Sequence, residues 1–227
     1  SPSSGPIFGD TRVVVHGAHF ANGHKPFCKF PRPNGIAVPV NATRTDDGLG
    51  LICLSPGSEP GPIVGPAEVA PRSTPNAVLA PLEVSLNGQQ YEPVAPNFAY
   101  FDPVTVAAVS PACGPVGGAT TLTLSVPHLA GAHYLCRFGD GQAGLWPYLS
   151  GEGFGLGLGV VPATATAANT LVCVTPAQPA ASTSLEISWN GQQFTNSSTR
   201  FLFAVAPTLA SLSPTSGPAS GATLLTI

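Results

Sequence analysis

The sequence predicts an all-β fold, two tandem sandwiches followed by the opening of a third, on three observations. The chain repeats itself: "LEVSLNGQQY" from Leu82 to Tyr91 and "LEISWNGQQF" from Leu185 to Phe194 agree at seven of ten positions, and "SPSSGP" at Ser1–Pro6 returns as "SPACGP" at Ser110–Pro115 and "SPTSGP" at Ser213–Pro218. Such self-similarity marks repeated structural units rather than a duplicated active site. The apolar residues come in short alternating runs, the period-2 pattern of a half-buried strand, and no stretch carries a sustained 3.6-residue stripe, so almost no helix is expected.

Each opening is followed within a few residues by a strand, "TRVVV", "TTLTL" and "TLLTI" in turn. Next, "FCKF" ending at Phe30 answers to "LCRF" ending at Phe138, and "LICLSP" ending at Pro56 answers to "LVCVTP" ending at Pro176. The motif order is the same in both copies. It places one unit at 1–102, a second at 103–206 and the first strand region of a third, truncated repeat at 207–227. Each complete unit has the size of one small domain.

In the first hairpin Leu82, Val84 and Leu86 face one way and Glu83 and Ser85 the other, and Asn87-Gly88 then offers two positions comfortable at positive φ, the signal of a type I′ turn. Phe27, Phe30, Leu82, Val84, Leu86 and Phe98 are expected to fill the first core. Leu135, Phe138, Leu185, Ile187, Trp189 and Phe201 are expected to fill the second. Between units the chain reads "FDPVTVAAVS" and "FAVAPTLASLS", with no Gly-Ser spacer, which predicts a semi-rigid rod.

Charged residues are 8% of the chain, against about 25% in an ordinary domain. With eight Lys and Arg spread thinly and a net charge of -3, there is no basic face to neutralise a phosphate backbone, which argues against nucleic acid as a partner. So sparse a charged surface has little colloidal protection, so glycans or neighbouring subunits are expected to cover part of it. No window reads as a signal peptide or a membrane span. With no methionine in it, the sequence is expected to be a segment of a longer polypeptide.

Little in the chain suggests catalysis. His16, His19 and His24 are close in sequence but lack a neighbouring carboxylate or Cys, and only His128 recurs in the second copy, so they read as turn or surface residues. Asp46 and Asp47 before Gly48 suit a turn better than a calcium loop. The eleven acids form no repeated pair of the kind a glycosidase needs. "GFGLGLG" at Gly153–Gly159 lacks the preceding strand and following helix of a phosphate-binding loop. The reading is a protein that is not an enzyme, with no catalytic residue, cofactor or metal.

Cys28 and Cys53 occupy places that Cys136 and Cys173 occupy in the second copy. Recurrence as a pair reads as one disulfide per unit, Cys28 to Cys53 and Cys136 to Cys173, with buried free thiols as the alternative. Cys113 is the odd cysteine, standing where the other openings have Ser4 and Ser216; it is expected to be buried, the alternative being a pair with another chain. Asn41-Ala-Thr43 and Asn196-Ser-Ser198 are N-glycosylation sequons beside expected turns. Together these features point to a secreted or cell-surface protein.

With these residues in view, "SPSSGPIFGDTRVVVHGAHF", the later Cys-x-Phe and Cys-x-x-Pro, and the Asn-Gly hairpin with its aromatic resemble the immunoglobulin-like domains called IPT or TIG. The resemblance covers both units and the third opening, and it implies tandem immunoglobulin-like β-sandwiches. "VPHL" at Val126–Leu129 and the insertion "GDGQAGLWPYLSGEGFGLGLG" depart from the pattern.

The expected function is a non-enzymatic structural segment, rod-like repeats of a cell- or cilium-surface glycoprotein or filament. It would assemble with copies of itself or other surface glycoproteins and carry N-linked glycans, with O-glycans on the proline-rich "SEPGPIVGPAEVAPRSTPNAVLAP" segment. The alternatives are a receptor or adhesion ectodomain that binds a specific protein or glycan, and a carbohydrate-enzyme accessory domain presenting Trp146, Tyr148 and Trp189 to sugars.

Overall fold

The computed structural model describes residues 1–31, 36–57, 81–95, 97–127, 129, 133–139 and 159–226. Nearly all of the proline-rich segment and of the glycine-rich insertion, with His128, Trp146 and Tyr148, lies outside them. Within them the chain is all-β, two immunoglobulin-like sandwiches in tandem, and its helical content is one 3₁₀ turn at Phe20–Asn22.

The first sandwich contains β1 (Ser4–Pro6), β2 (Arg12–His16), β3 (Phe27–Phe30), β4 (Val38–Asn41), β5 (Thr43–Arg44), β6 (Gly50–Leu54), β7 (Leu82–Ser85), β8 (Glu92–Val94) and β9 (Ala99–Phe101). One sheet has the order β4-β3-β7-β8 and the other β2-β6-β5, while β1 runs parallel to β9. The second sandwich contains β10 (Ala108–Ser110), β11 (Cys113–Pro115), β12 (Thr121–Ser125), β13 (Leu135–Phe138), β14 (Val160–Ala167), β15 (Thr170–Val174), β16 (Ala181–Ser188) and β17 (Arg200–Ala204). Its strands join in the order β10-β12-β15-β14-β13-β16-β17-β11 because β14 pairs with β13 through Val160–Pro162 and then with β15 through Ala163–Ala167. The first sandwich makes the same crossing in two pieces, β4 on β3 and β5 on β6, broken at the buried Ala42.

Alternation decides what each strand buries. Val13 and Val15 of β2 and Leu122 and Leu124 of β12 point inward, and each unit has its own hydrophobic core. Phe30 meets Phe98 edge to face at 5.1 Å between ring centres, and the equivalent Phe138 meets Phe201 at 5.8 Å. The expected cores need two corrections. Val84 and Leu86 are partly buried but pack against the first core, whereas Phe27 and Leu135 lie off the cores, because Cys28 and Phe30, or Cys136 and Phe138, take the inward positions and an odd separation puts Phe27 and Leu135 on the outer face. Lys25 Nζ lies 5.4 Å from the Phe27 ring there.

Cys28 is joined to Cys53 and Cys136 to Cys173, so each bridge ties one sheet of its sandwich to the other. On the outer face the units use the same device with different residues: Lys29 Nζ sits 5.0 Å from the Tyr91 ring and Arg137 sits 4.3 Å from that of Phe194. Lys29 also pairs with Glu83 at 2.8 Å. Both partners are partly solvated, so breaking this pair by Glu83→Ala, which leaves the Lys29–Tyr91 contact in place, is expected to cost no more than about 1 kcal/mol in urea unfolding.

The Ser-Pro-x-x-Gly-Pro phrase is where the chain changes sheets. Ser110 still pairs with Thr123 across β10 and β12, and three residues later Cys113 starts the parallel pairing with β17 at Leu202. This turn brings Gly114 hard against Thr120, where an added Cβ would fall inside contact distance of the Thr120 hydroxyl and 3.0 Å from the Phe201 ring; Gly5 and Gly217 are confined in the same way by Thr11 and Thr223. Gly114→Ala is therefore expected to destabilise the second sandwich by ~2 kcal/mol, seen as a lower urea midpoint. An unchanged midpoint would mean that Thr120 turns aside at no cost.

Candidate functional site, an interface between repeats

The duplicated Asn-Gly-Gln-Gln phrase forms a wider turn than the type I′ hairpin expected. Only the glycines, Gly88 at φ 78° and Gly191 at φ 77°, have positive φ, whereas a type I′ turn needs two such residues. Side chains close the loop instead. Asn87 Oδ1 accepts from the backbone N–H of Gln89 at 2.9 Å and of Gln90 at 3.2 Å, while the Ser85 hydroxyl accepts from the N–H of Gly88 at 2.9 Å. In the second copy Asn190 Oδ1 accepts from Gln192 at 3.0 Å and Gln193 at 3.2 Å, and the Ser188 hydroxyl from Gly191 at 3.0 Å. With the backbone donors satisfied internally, both glutamine side chains are left to bind elsewhere.

In the second sandwich they bind the first. Gln192 Nε2 donates to the Arg12 carbonyl and Gln192 Oε1 accepts from the Arg12 N–H, each at 2.8 Å. Thr11 bonds toward β6 through both backbone groups, so the next residue, Arg12, turns its N–H and C=O outward; the carboxamide satisfies them as an added strand would. Gln193 Nε2 donates to the Asp10 carbonyl at 2.8 Å and its Oε1 accepts from the Thr11 hydroxyl at 3.2 Å. Asn190 Nδ2 donates to the Ser4 carbonyl at 3.3 Å and to Gln193 Oε1 at 2.6 Å. Beside this polar clamp, Trp189 packs at 5.0 Å on Phe101, the last residue of β9. Trp189 is thus buried, which removes it as a sugar-stacking surface.

The linker adds a second anchorage. Val104 and Val106 alternate into the second core, and the Thr199 hydroxyl donates to the Val106 carbonyl at 3.3 Å. The equivalent space in the first sandwich is an open groove of about 390 Å³ between Ser1–Ser3, Val13, Val15, Leu82 and Phe98, with His133 of the second unit also in its lining. Leu122, Leu124, Leu185 and Phe201, the counterparts of its apolar walls, share one buried core with Val104 and Val106.

The remaining sequence candidates fall outside this interface. Asn41 and Asn196 are both exposed, on opposite units. Behind Asn196, the buried Glu186 carboxylate accepts from the Ser197 N–H at 2.9 Å and from the Thr195 hydroxyl, which fixes the sequon loop against β16. His16, His19 and His24 are exposed and lie around the Phe20–Asn22 turn. Asp47 accepts from the Thr45 hydroxyl and from the Leu49 N–H at 2.9 Å; these two bonds hold its carboxyl below the ordinary value and shape the turn.

Cys113, expected to be buried, is exposed. It lies on β11, whose β-ladder partner is β17, and no hairpin among the described residues lies over it as the second hairpin lies over β1. The sequence reading missed the clamp itself. Its one available signal was that both glutamines repeat exactly at turn positions that need no particular side chain to fold.

No family model and no curated protein matches this chain. Among solved structures it is similar to the plexin A4 full extracellular region, at 15% identity and a TM-score of 0.52, over 94% of this chain and 16% of that one. A second structure of the plexin A4 extracellular region aligns at 14% identity and a TM-score of 0.47, over 89% of this chain and 17% of that one. The chain spans about a sixth of the length of these neighbours, and at this identity the likeness establishes the fold: tandem immunoglobulin-like β-sandwiches.

Proposed function

We propose that this chain is a non-enzymatic segment of an extracellular protein, built from IPT/TIG-like repeats, whose task is to hold successive sandwiches at a fixed spacing and orientation on a cell or ciliary surface. The observation that carries the reading is the clamp of Asn190, Gln192 and Gln193 on Ser4–Arg12, reinforced by Val104 and Val106 buried in the second core. A hinge between independent domains would leave both unmade.

The extracellular part of the proposal rests on the paired cysteines, the two exposed sequon asparagines and the resemblance to an extracellular region. Glycans on Asn41 and Asn196 would cover a surface short of charge, and an assembly of such segments or a filament would cover more. Small-angle scattering tests the spacing function: the account expects the profile of one extended two-domain particle, unchanged with ionic strength. A profile that requires a broad ensemble of inter-domain distances, or a compact globule, would remove it. The same resemblance also leaves a partner-binding receptor or adhesion ectodomain as a second reading, favoured if the chain captures one saturable protein or glycan ligand.

A further inference from the structure

The clamp has an unused copy of each half. On the first sandwich, Asn87, Gln89 and Gln90 form the same turn as Asn190–Gln193 but are exposed, whereas Asn190 and Gly191 are buried. On the second sandwich, the opening that corresponds to the clamped one is bare: Pro2, Ser4, Pro6 and Thr11 are buried, while Pro111, Cys113 and Pro115 are exposed and Thr120 is half-buried. The backbones match closely. Gly9, Gly118 and Gly221 have φ of 87°, 75° and 81°, and Asp10, Ala119 and Ala222 follow at 59°, 61° and 64°. Thr120 bonds to Thr175 through both backbone groups as Thr11 does to Ser55, so Thr121 turns its N–H and C=O outward where Arg12 receives Gln192.

The segment after the second sandwich carries the rest of the arrangement. Ser213 pairs with Thr226 by two backbone hydrogen bonds of 3.0 and 2.8 Å, the pairing that Ser110 makes with Thr123. Leu209 and Leu225 are exposed at 75% and 51%, although their counterparts Val106 and Leu122 are buried in a sandwich core. A third sandwich opening at Ser213 would bring its own hairpin to the second unit as the second brings its hairpin to the first.

We infer that the exposed face Ala112–Thr121 of the second sandwich is a docking site for the Asn-Gly-Gln-Gln hairpin of a following repeat. The recognition chemistry is that of the clamp already formed: two glutamine carboxamides on outward backbone groups of Ala119–Thr121, and an asparagine donating to the carbonyl of Cys113. The inference builds on the fixed-spacing reading, but its readout is a single thiol rather than a scattering profile, so either can fail alone.

Cys113 reports on the site because it occupies the position of Ser4, which is 5% exposed under the clamp. The test compares this chain with one in which residues 110–206 are placed again after Leu212, the added copy carrying Cys113→Ser. Both chains are checked by intact mass for closed disulfides within each sandwich. Native alkylation of the second unit's Cys113 with iodoacetamide is expected to be slower by about tenfold or more in the three-repeat chain. Asn190→Ala, Gln192→Ala and Gln193→Ala together in the added copy are expected to restore the fast rate. Equal rates in the two chains, or protection that survives the triple substitution, would overturn the inference.

Discussion

Replacing Cys136 and Cys173 with alanine is expected to lower the stability of the second sandwich by about 3.8 kcal/mol, and replacing Cys28 and Cys53 to lower that of the first by about 3.5 kcal/mol. These figures follow from the loop each bridge closes, 37 and 25 residues respectively, since a longer closed loop removes more entropy from the unfolded chain. All four cysteines are buried in the two cores, so alanine also leaves small voids that add to the loss. Guanidinium unfolding of each double variant is the measurement. The altered sandwich should unfold at clearly lower denaturant, and the other should fall by no more than the clamp contributes to it. Midpoints unchanged in both variants would mean that the bridges close loops already restrained by other contacts.

Asn190→Ala is expected to cost about 3 kcal/mol, and Asn87→Ala about 1 kcal/mol, although the two residues sit in the same phrase. Both substitutions orphan two backbone N–H groups of the turn, those of Gln192 and Gln193 or of Gln89 and Gln90. At Asn87 water can reach them, because Asn87, Gln89 and Gln90 are exposed. Both substitutions also remove the carboxamide's bond to the second glutamine, but at Asn190, which is 2% exposed, the substitution in addition strips the Ser4 carbonyl of a donor inside a buried contact. The difference between the two variants therefore measures what the interface adds to the turn. Equal losses in thermal or urea unfolding would show that the turn alone needs the asparagine and that the clamp adds nothing.

Much of this architecture was legible in the sequence, because repetition acted as an internal comparison. The cysteine pairs could be matched to each other, and the Ser-Pro-x-x-Gly-Pro openings recurred a few residues ahead of a strand in each copy. What a linear pattern could not show was which surfaces meet. The hairpin phrase was readable as a turn, but the difference between Asn87 in water and Asn190 under cover depends on what lies next to each, and the two stretches are nearly identical in sequence. The same limit explains Cys113: an odd cysteine reads as buried, but among the described residues the neighbour that covers Ser4 has no counterpart over β11. Phe27 was misjudged for a different reason, since counting aromatics near a core ignored that Cys28 and Phe30 already fix the inward parity of β3.

The most direct test of the claim that Asn190, Gln192 and Gln193 fasten the second sandwich to the first is a set of backbone residual dipolar couplings measured on both units in a weakly aligned sample. The account predicts that couplings from β2, β3 and β6 and from β12, β13 and β15 fit one alignment tensor, and that Gln192→Ala with Gln193→Ala splits it into two. Two tensors of different magnitude in the unaltered chain would contradict it.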